Sequence, residues 1–191
     1  MSITKLLFRR FRNPWMAMAL WIPVSALLVA VSLRNHPVTW SAVLIYLAIG
    51  LFAWTLVEYY LHRYVFHWVD ESERWRAYSR VASGLHIEHH NSTSQEDLII
   101  APPFVSLIFA TVIYGIFLVA TRSLAATALL ESGLIIGYLF YEWVHYGAHR
   151  FFPNFAAGKY LRKYHLQHHH KCPDRQFGVT TPIWDIVFGT R

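Results

Sequence analysis

Four long apolar runs, separated by polar stretches of unequal length, set the plan of this chain. Trp15–Leu33 carries no charge and contains Pro23, which membrane helices tolerate because their neighbours satisfy the freed backbone groups. Val38–Val57 is uncharged. Leu98–Ala120 is also uncharged and includes Pro102-Pro103 near its start. Leu124–Phe140 holds one acid, Glu131. Each run approaches the roughly 20 apolar residues needed to cross about 30 Å of hydrocarbon. The pattern predicts an all-α integral membrane protein with four transmembrane helices over 15–33, 38–57, 98–120 and 124–140. The first two would form a hairpin across Arg34–Pro37 and the last two across Thr121–Ser123. If the last two runs were instead re-entrant, the sidedness would be the same.

The polar stretches, residues 58–97 and 141–191, begin where the second and fourth runs end. Helices are expected to continue out of the hydrocarbon there and build a helical cap. Of the seventeen Lys and Arg residues, only Arg34 and Arg122 fall in the two short connections. The remainder lie in the N-terminal segment and the two polar stretches. The positive-inside rule puts those regions, and both termini, in the cytoplasm. Residues 1–13 set Lys5, Arg9, Arg10 and Arg12 among apolar residues, which suits either a segment lying on an anionic leaflet or a solvated tail. The basic residues of 150–164 fit either lipid phosphates or a solvated face. Gly133 and Gly137 form a G-x-x-x-G, open to dimerisation or to packing within the chain. Glu131, costly in hydrocarbon, is expected either paired or near the non-cytosolic interface.

Composition sharpens this picture. The chain is 55% hydrophobic and carries a net charge of +6. Its basic residues sit at the ends of apolar runs rather than in a nucleic-acid-binding stripe. The single cysteine, Cys172, excludes an intrachain disulfide and reads as a reduced thiol. The first apolar run lacks a convincing cleavage site and is expected to be a retained anchor.

The chemistry lies in the histidines. Ten of the twelve fall in four clusters: His62 and His67; His86, His89 and His90; His145 and His149; His165, His168 and His169. His36 and His170 stand outside. Neutral imidazole is the commonest metal ligand, and ten ligands are too many for one ion, so two metals are expected to share them. On a helix, residues three and four apart share a face, so each H-x2-H-H cluster is expected to aim its rings one way. His62 and His67 are five apart, about 140° on a regular helix. Their convergence predicts a π-type distortion between them. Each half repeats an apolar hairpin, an H-x3/4-H and an H-x2-H-H, which suggests a duplication with one ligand set per half. Glu58, Glu88, Glu142 and Asp174 do not form the Glu-x-x-His repeat of carboxylate di-iron bundles. They are expected to orient ligand rings by accepting their outer N–H groups. Imidazoles suit iron, zinc and copper. Beside a bilayer, oxygen activation by iron acting on a lipid C–H bond makes physical sense.

These spacings resemble the fatty acid hydroxylase superfamily, which includes sterol desaturase-like enzymes, and most of all its fatty acid 2-hydroxylase branch. The resemblance rests on W-x-L-x-E-Y-x-x-H-R-x-x-F-H from Trp54 to His67, on the H-x2-H-H at His86, and on Gly178-Val179-Thr180-Thr181-Pro182-Ile183-Trp184-Asp185 followed by Phe188. It implies a single membrane hydroxylase domain over 1–191, four helices under a cytosolic cap, and all ten clustered histidines as ligands of a dinuclear centre, with no catalytic residue beyond them. The reaction implied is O2-dependent hydroxylation of a fatty acyl or ceramide-type chain at its 2-position. Many eukaryotic members carry a cytochrome b5-like domain, for which these 191 residues are expected to leave no room, so electrons are expected from a separate cytochrome b5- or ferredoxin-like protein. Iron is expected in the active enzyme, although zinc can replace it during purification. His170 competes with His169 for the last ligand position. Small relatives hydroxylate carotenoids or other lipids, so a carotenoid or sterol hydroxylase or desaturase is the alternative. A metal transporter or sensor is disfavoured, because transporters place ionisable ligands near the bilayer midplane and these clusters lie beyond the span ends.

Overall fold

A computed structural model describes residues 13–35, 38–151 and 154–191. The basic residues expected to lie on a membrane surface, and His36, lie outside the described residues. All regular structure among the described residues is helical: α1 (Pro14–Asn35), α2 (Trp40–Tyr60), a π-helical segment (Leu61–Phe66), α3 (Arg76–Asn91), a 3-10 turn (Glu96–Leu98), α4 (Pro103–Thr121), α5 (Leu124–Arg150), α6 (Ala156–His170) and α7 (Ile183–Val187). Among the described residues, four helical stretches are long and apolar enough to cross a membrane: Pro14–Arg34, Trp40–Phe66, Pro103–Thr121 and Leu124–Arg150.

The third run differs from expectation at its start. Leu98 ends a 3-10 turn, and α4 begins only at Pro103. Proline has no N–H to give and drives the residue before it out of the helical region; Pro102 accordingly sits at φ −58°, ψ 142°. Pro103 then occupies the first helical turn, where its missing donor costs nothing. Leu98, Ile99 and Ile100 are buried, as part of a different unit from α4.

The chain divides into two compact units. The first comprises Met1–Trp54 and Ala101–Glu142. Within it, α2 and α5 approach at glycines. A Cβ on Gly50 would land on the Leu130 carbonyl, one on Gly133 on the Leu47 carbonyl, and one on Gly137 against the Trp54 side chain. The G-x-x-x-G therefore packs within the chain. Buried hydroxyls tie α1 to α5: Ser132 Oγ donates to the Ser25 carbonyl (3.1 Å) and Ser32 Oγ to the Ala125 carbonyl (3.2 Å). Trp21 Nε1 donates to Ser106 Oγ of α4 at 3.1 Å. Large apolar side chains such as Leu27, Leu44, Ile45, Leu107, Val112 and Val119 point outward. Glu131 is buried, and neither of its oxygens has a hydrogen-bond partner among the described residues.

The second unit comprises Thr55–Ile100 and Trp143–Arg191. Its core includes Tyr59, Ile99, Ile100, Val144, Ala148, Tyr164, Phe177 and Val179. Two buried carboxylates hold its C-terminal segment. Glu58 Oε1 accepts the backbone N–H groups of Val179 and Thr180, and its Oε2 accepts the Thr180 hydroxyl at 2.6 Å. Asp185 Oδ1 accepts the Phe177 N–H (2.9 Å) and the Thr190 hydroxyl (2.8 Å), while Oδ2 accepts the Gly178 N–H (2.8 Å). Gly178 is required here, because a Cβ would land on the Thr181 carbonyl oxygen.

Candidate metal centre

The π-helical segment lies between the first two clustered histidines. The His67 N–H reaches the His62 carbonyl, five residues back, at 3.2 Å. The extra residue in the turn turns the two rings toward each other, with centroids 5.1 Å apart. The distortion expected from their spacing is therefore present. His145 and His149, four apart, need none and lie on the regular helix α5.

All ten clustered histidines gather within the second unit, in two groups of five. One holds His62, His67, His86, His90 and His168; the other holds His89, His145, His149, His165 and His169. The expectation of one ligand set per half is corrected: each half supplies four rings to one group and one to the other. The H-x2-H-H clusters do not aim three rings one way. His86 and His90 stand with centroids 4.7 Å apart, whereas His89 is 6.1 and 6.3 Å from them. Likewise His165 and His169 are 4.5 Å apart, and His168 is 6.3 and 5.8 Å from them. On a helix, residues four apart differ by about 40°, while the third member lies about 60° to the other side. The two groups meet where His90 stacks on His169 at 4.0 Å. His169, not His170, joins the second group; His170 is exposed.

Within each group the Nε2 atoms converge, with close pairs 2.9–3.1 Å apart. Nitrogens about 2.0–2.1 Å from a shared metal and at right angles to each other would stand about 2.9 Å apart. The tautomers fit too. His62 Nδ1 donates to the Phe177 carbonyl and His168 Nδ1 to the Arg175 carbonyl, each at 2.5 Å. Their Nε2 atoms are then bare lone pairs turned toward other imidazole nitrogens, an arrangement that a cation between them stabilises. Burial, and secondarily the neighbouring rings, lowers the pKa of these groups. His67 and His89 fall to about 4, and His86 and His165 lie well below the ordinary value. His168 is lowered less simply: burial dominates, while the Arg175 carbonyl and the charges of Asp185 and Asp174 pull it back up. Neutral imidazole is the state that ligates a metal.

The chain belongs to the fatty acid hydroxylase family. The family profile, described as fatty acid hydroxylase, matches residues 47–190. The chain is 31% identical to the dihydroceramide fatty acyl 2-hydroxylase FAH2 of Arabidopsis thaliana, over 94% of this chain and 74% of that protein. It is 35% identical to the ceramide very long chain fatty acid hydroxylase scs7 of Schizosaccharomyces pombe, over 94% of this chain and 51% of that one. A solved structure of full-length scs7p, in which only the hydroxylase domain is visible, superimposes with a TM-score of 0.83 at 31% identity, covering 99% of this chain and 69% of that one. The chain is thus a hydroxylating oxidoreductase.

The four acids expected to orient ligands take different places. Glu58 clamps Val179 and Thr180, two residues beyond the carbonyl that receives His62. Glu142 lies in the first unit, where its Oε1 accepts the Ala101 N–H at 3.1 Å. Glu88 and Asp174 are exposed, and Asp174 acts on His168 through its charge. At His62 and His168 the outer N–H goes to a backbone carbonyl instead of a carboxylate. Asp185, which holds the backbone on either side of the Phe177 carbonyl, was visible in the sequence only as part of the C-terminal motif. No local spacing connects Phe177 with His62.

Proposed function

We propose that this chain hydroxylates the acyl chain of a membrane lipid at its 2-position, a free fatty acid or a ceramide-type acyl group, through two metal ions held by the two five-histidine groups. The observation that carries this is the convergence of ten Nε2 atoms into two carboxylate-free groups, in a chain whose relatives are named as dihydroceramide and ceramide acyl hydroxylases. Two metal ions, iron in the active enzyme, would supply the oxidising chemistry with O2. The balance is R–H + O2 + 2 e⁻ + 2 H⁺ → R–OH + H2O, so two electrons come from a donor, a separate cytochrome b5- or ferredoxin-like protein. The protein's own part is to present ten neutral imidazoles, fix His62 and His168 through the Phe177 and Arg175 carbonyls, and keep the site dry by burial.

The four apolar helices cross the membrane as two hairpins, and residues 58–97 and 141–191 lie on the cytosolic side. Supporting this are their length, the apolar side chains on their outer faces, and the concentration of Lys and Arg outside the two short connections. Cys172, the single cysteine, reports the sidedness. An impermeant thiol reagent should label it only after cells are opened, and labelling in intact cells would reverse the orientation.

The deciding experiment is lipid mass spectrometry of cells with and without the chain, grown under 16O2 or 18O2. A 2-hydroxyacyl lipid that appears only with the chain and carries 18O is the expected result. Label or new unsaturation in a carotenoid or sterol, with the acyl profile unchanged, would overturn it.

A further inference from the structure

Helix α6 has two faces with different chemistry. One buries Tyr164, His165, His168 and His169, so that this single helix feeds both histidine groups. The other lines an open depression of about 510 Å³ with Lys159, Arg162, Lys163, Leu166, Gln167 and His170, continued by Lys171. These positions repeat at three and four residues, the spacing of one helix face. No acid is among them, and from residue 143 to residue 173 the sequence contains no aspartate or glutamate. Helix stability does not account for this face. Cations suit a helix C-terminus, which covers Lys171, but Lys159 lies in the first turn of α6, where the macrodipole disfavours positive charge. Arg162 has a structural task, donating from Nε to the Ala148 carbonyl at 3.1 Å. Lys159, Lys163 and Lys171 are exposed.

We infer that this basic face of α6 is the docking site of an acidic one-electron carrier protein that reduces the metal centre. The inference rests on the hydroxylase reading above, whose balance requires two electrons from a donor. The face is electrostatically complementary to an acidic carrier, and such complementarity speeds encounter and sets register. It is also close to the site. His170 stands with its ring centroid 6.0 Å from that of His169, which belongs to one histidine group, and its chain neighbours serve both. A helix is about 10–12 Å across with its side chains, so a carrier seated here is separated from both groups by α6 alone. A membrane surface fits less well: the lining offers one aliphatic residue, Leu166, and no aromatic ring other than His170 to enter a bilayer.

The test uses the full chain, purified and loaded with iron, and a reduced plant-type [2Fe–2S] ferredoxin as the acidic probe. Ferredoxin oxidation is followed anaerobically by stopped flow, beside reduction of the same protein by dithionite. Lys159→Glu, Lys163→Glu and Lys171→Glu are combined in one variant, with the corresponding triple Gln variant as a milder partner should charge reversal impair folding. The wild-type rate should fall as salt rises. The Glu variant should need about tenfold more ferredoxin for half-maximal rate, the scale on which charge steering acts, while reduction by dithionite and metal content stay at wild-type values. The Gln variant should fall between. Equal ferredoxin rates in all three proteins would overturn the docking site and leave the hydroxylase reading standing. So would variants that keep their ferredoxin rate but lose binding to phosphatidylserine vesicles, which would make the face a lipid-headgroup surface. A wild-type protein that accepts electrons from neither reductant would overturn the hydroxylase reading itself.

Discussion

Asp185 is the residue whose replacement tests how the metal groups are held in shape. Among the described residues it hydrogen-bonds to no clustered ring, yet it accepts three hydrogen bonds from donors around the carbonyl that receives His62 Nδ1. In Asp185→Asn a carboxamide oxygen in the Oδ1 position can keep the Phe177 N–H and Thr190 hydroxyl. Its NH2 group then meets the Gly178 N–H, now 2.8 Å from Oδ2, donor against donor. One charge-assisted hydrogen bond is lost, worth about 1.5–3 kcal/mol, and a buried N–H is left unpaired at about 1–3 kcal/mol. The two overlap, so a net loss of about 3 kcal/mol is the working figure. For a chain of this length that lowers Tm by about 6–12 °C. The displaced Phe177 carbonyl releases His62 from its tautomer, so metal should leave the group containing His62 and His168 first. The assays are a thermal melt in detergent and metal analysis per chain. Asp174→Asn is the control, since Asp174 is exposed and reaches His168 by charge alone. An Asp185→Asn protein with wild-type Tm and full metal content would refute the reasoning.

Three further outcomes are expected. His89→Ala should abolish hydroxylation and reduce bound metal from two ions toward one, by emptying the group completed by His145, His149, His165 and His169; retained hydroxylation would end the ligand assignment. Because His67 and His89 have folded-state pKa values of about 4 against about 6.5 unfolded, the unfolded chain binds more protons across that window, so stability of the metal-free fold should fall as pH drops below about 6.5. A melting temperature that does not fall between pH 7.5 and pH 5 would contradict this. Gly133→Ala drives a methyl onto the Leu47 carbonyl and should cost about 1–3 kcal/mol or prevent folding, whereas Gly84→Ala, with open space at its Cβ, should be neutral or stabilising; equal melting temperatures for the two would show the α2–α5 contact to be soft.

The apolar helices were legible because a run of this length with at most one charge has few other uses, and the π-helical segment because five-residue spacing cannot align two rings on a regular helix. The start of α4 was not legible from apolarity, which does not distinguish span from core: Leu98, Ile99 and Ile100 are core of the second unit. The Pro102-Pro103 pair is the sequence signal that marks the boundary. The orienting carbonyls of Phe177 and Arg175 were not legible at all. A backbone acceptor leaves no mark on residue identity, whether it is local, as Arg175 is to His168, or 115 residues away, as Phe177 is from His62. Carboxylates near the clusters were read as orienters because they are visible in a sequence. Glu58 proved to act one step removed, through the segment it clamps.

The sorting of the histidines follows from helix geometry and has a consequence for the site. Three rings in H-x2-H-H occupy an arc of about 100°, with the first nearer to the last than to the middle one. A helix set beside one group therefore keeps two rings for it and turns the third toward a neighbour. Both α3 and α6 do this, so His89 and His168 cross over, and His90 and His169 stack where the groups meet. Two clusters that each aimed three rings one way would give two separate sites, each complete within its own half. The crossover leaves each half one ring short and makes the two groups neighbours. The H-x2-H-H spacing thus builds a pair, and neither half completes a five-nitrogen group without the other.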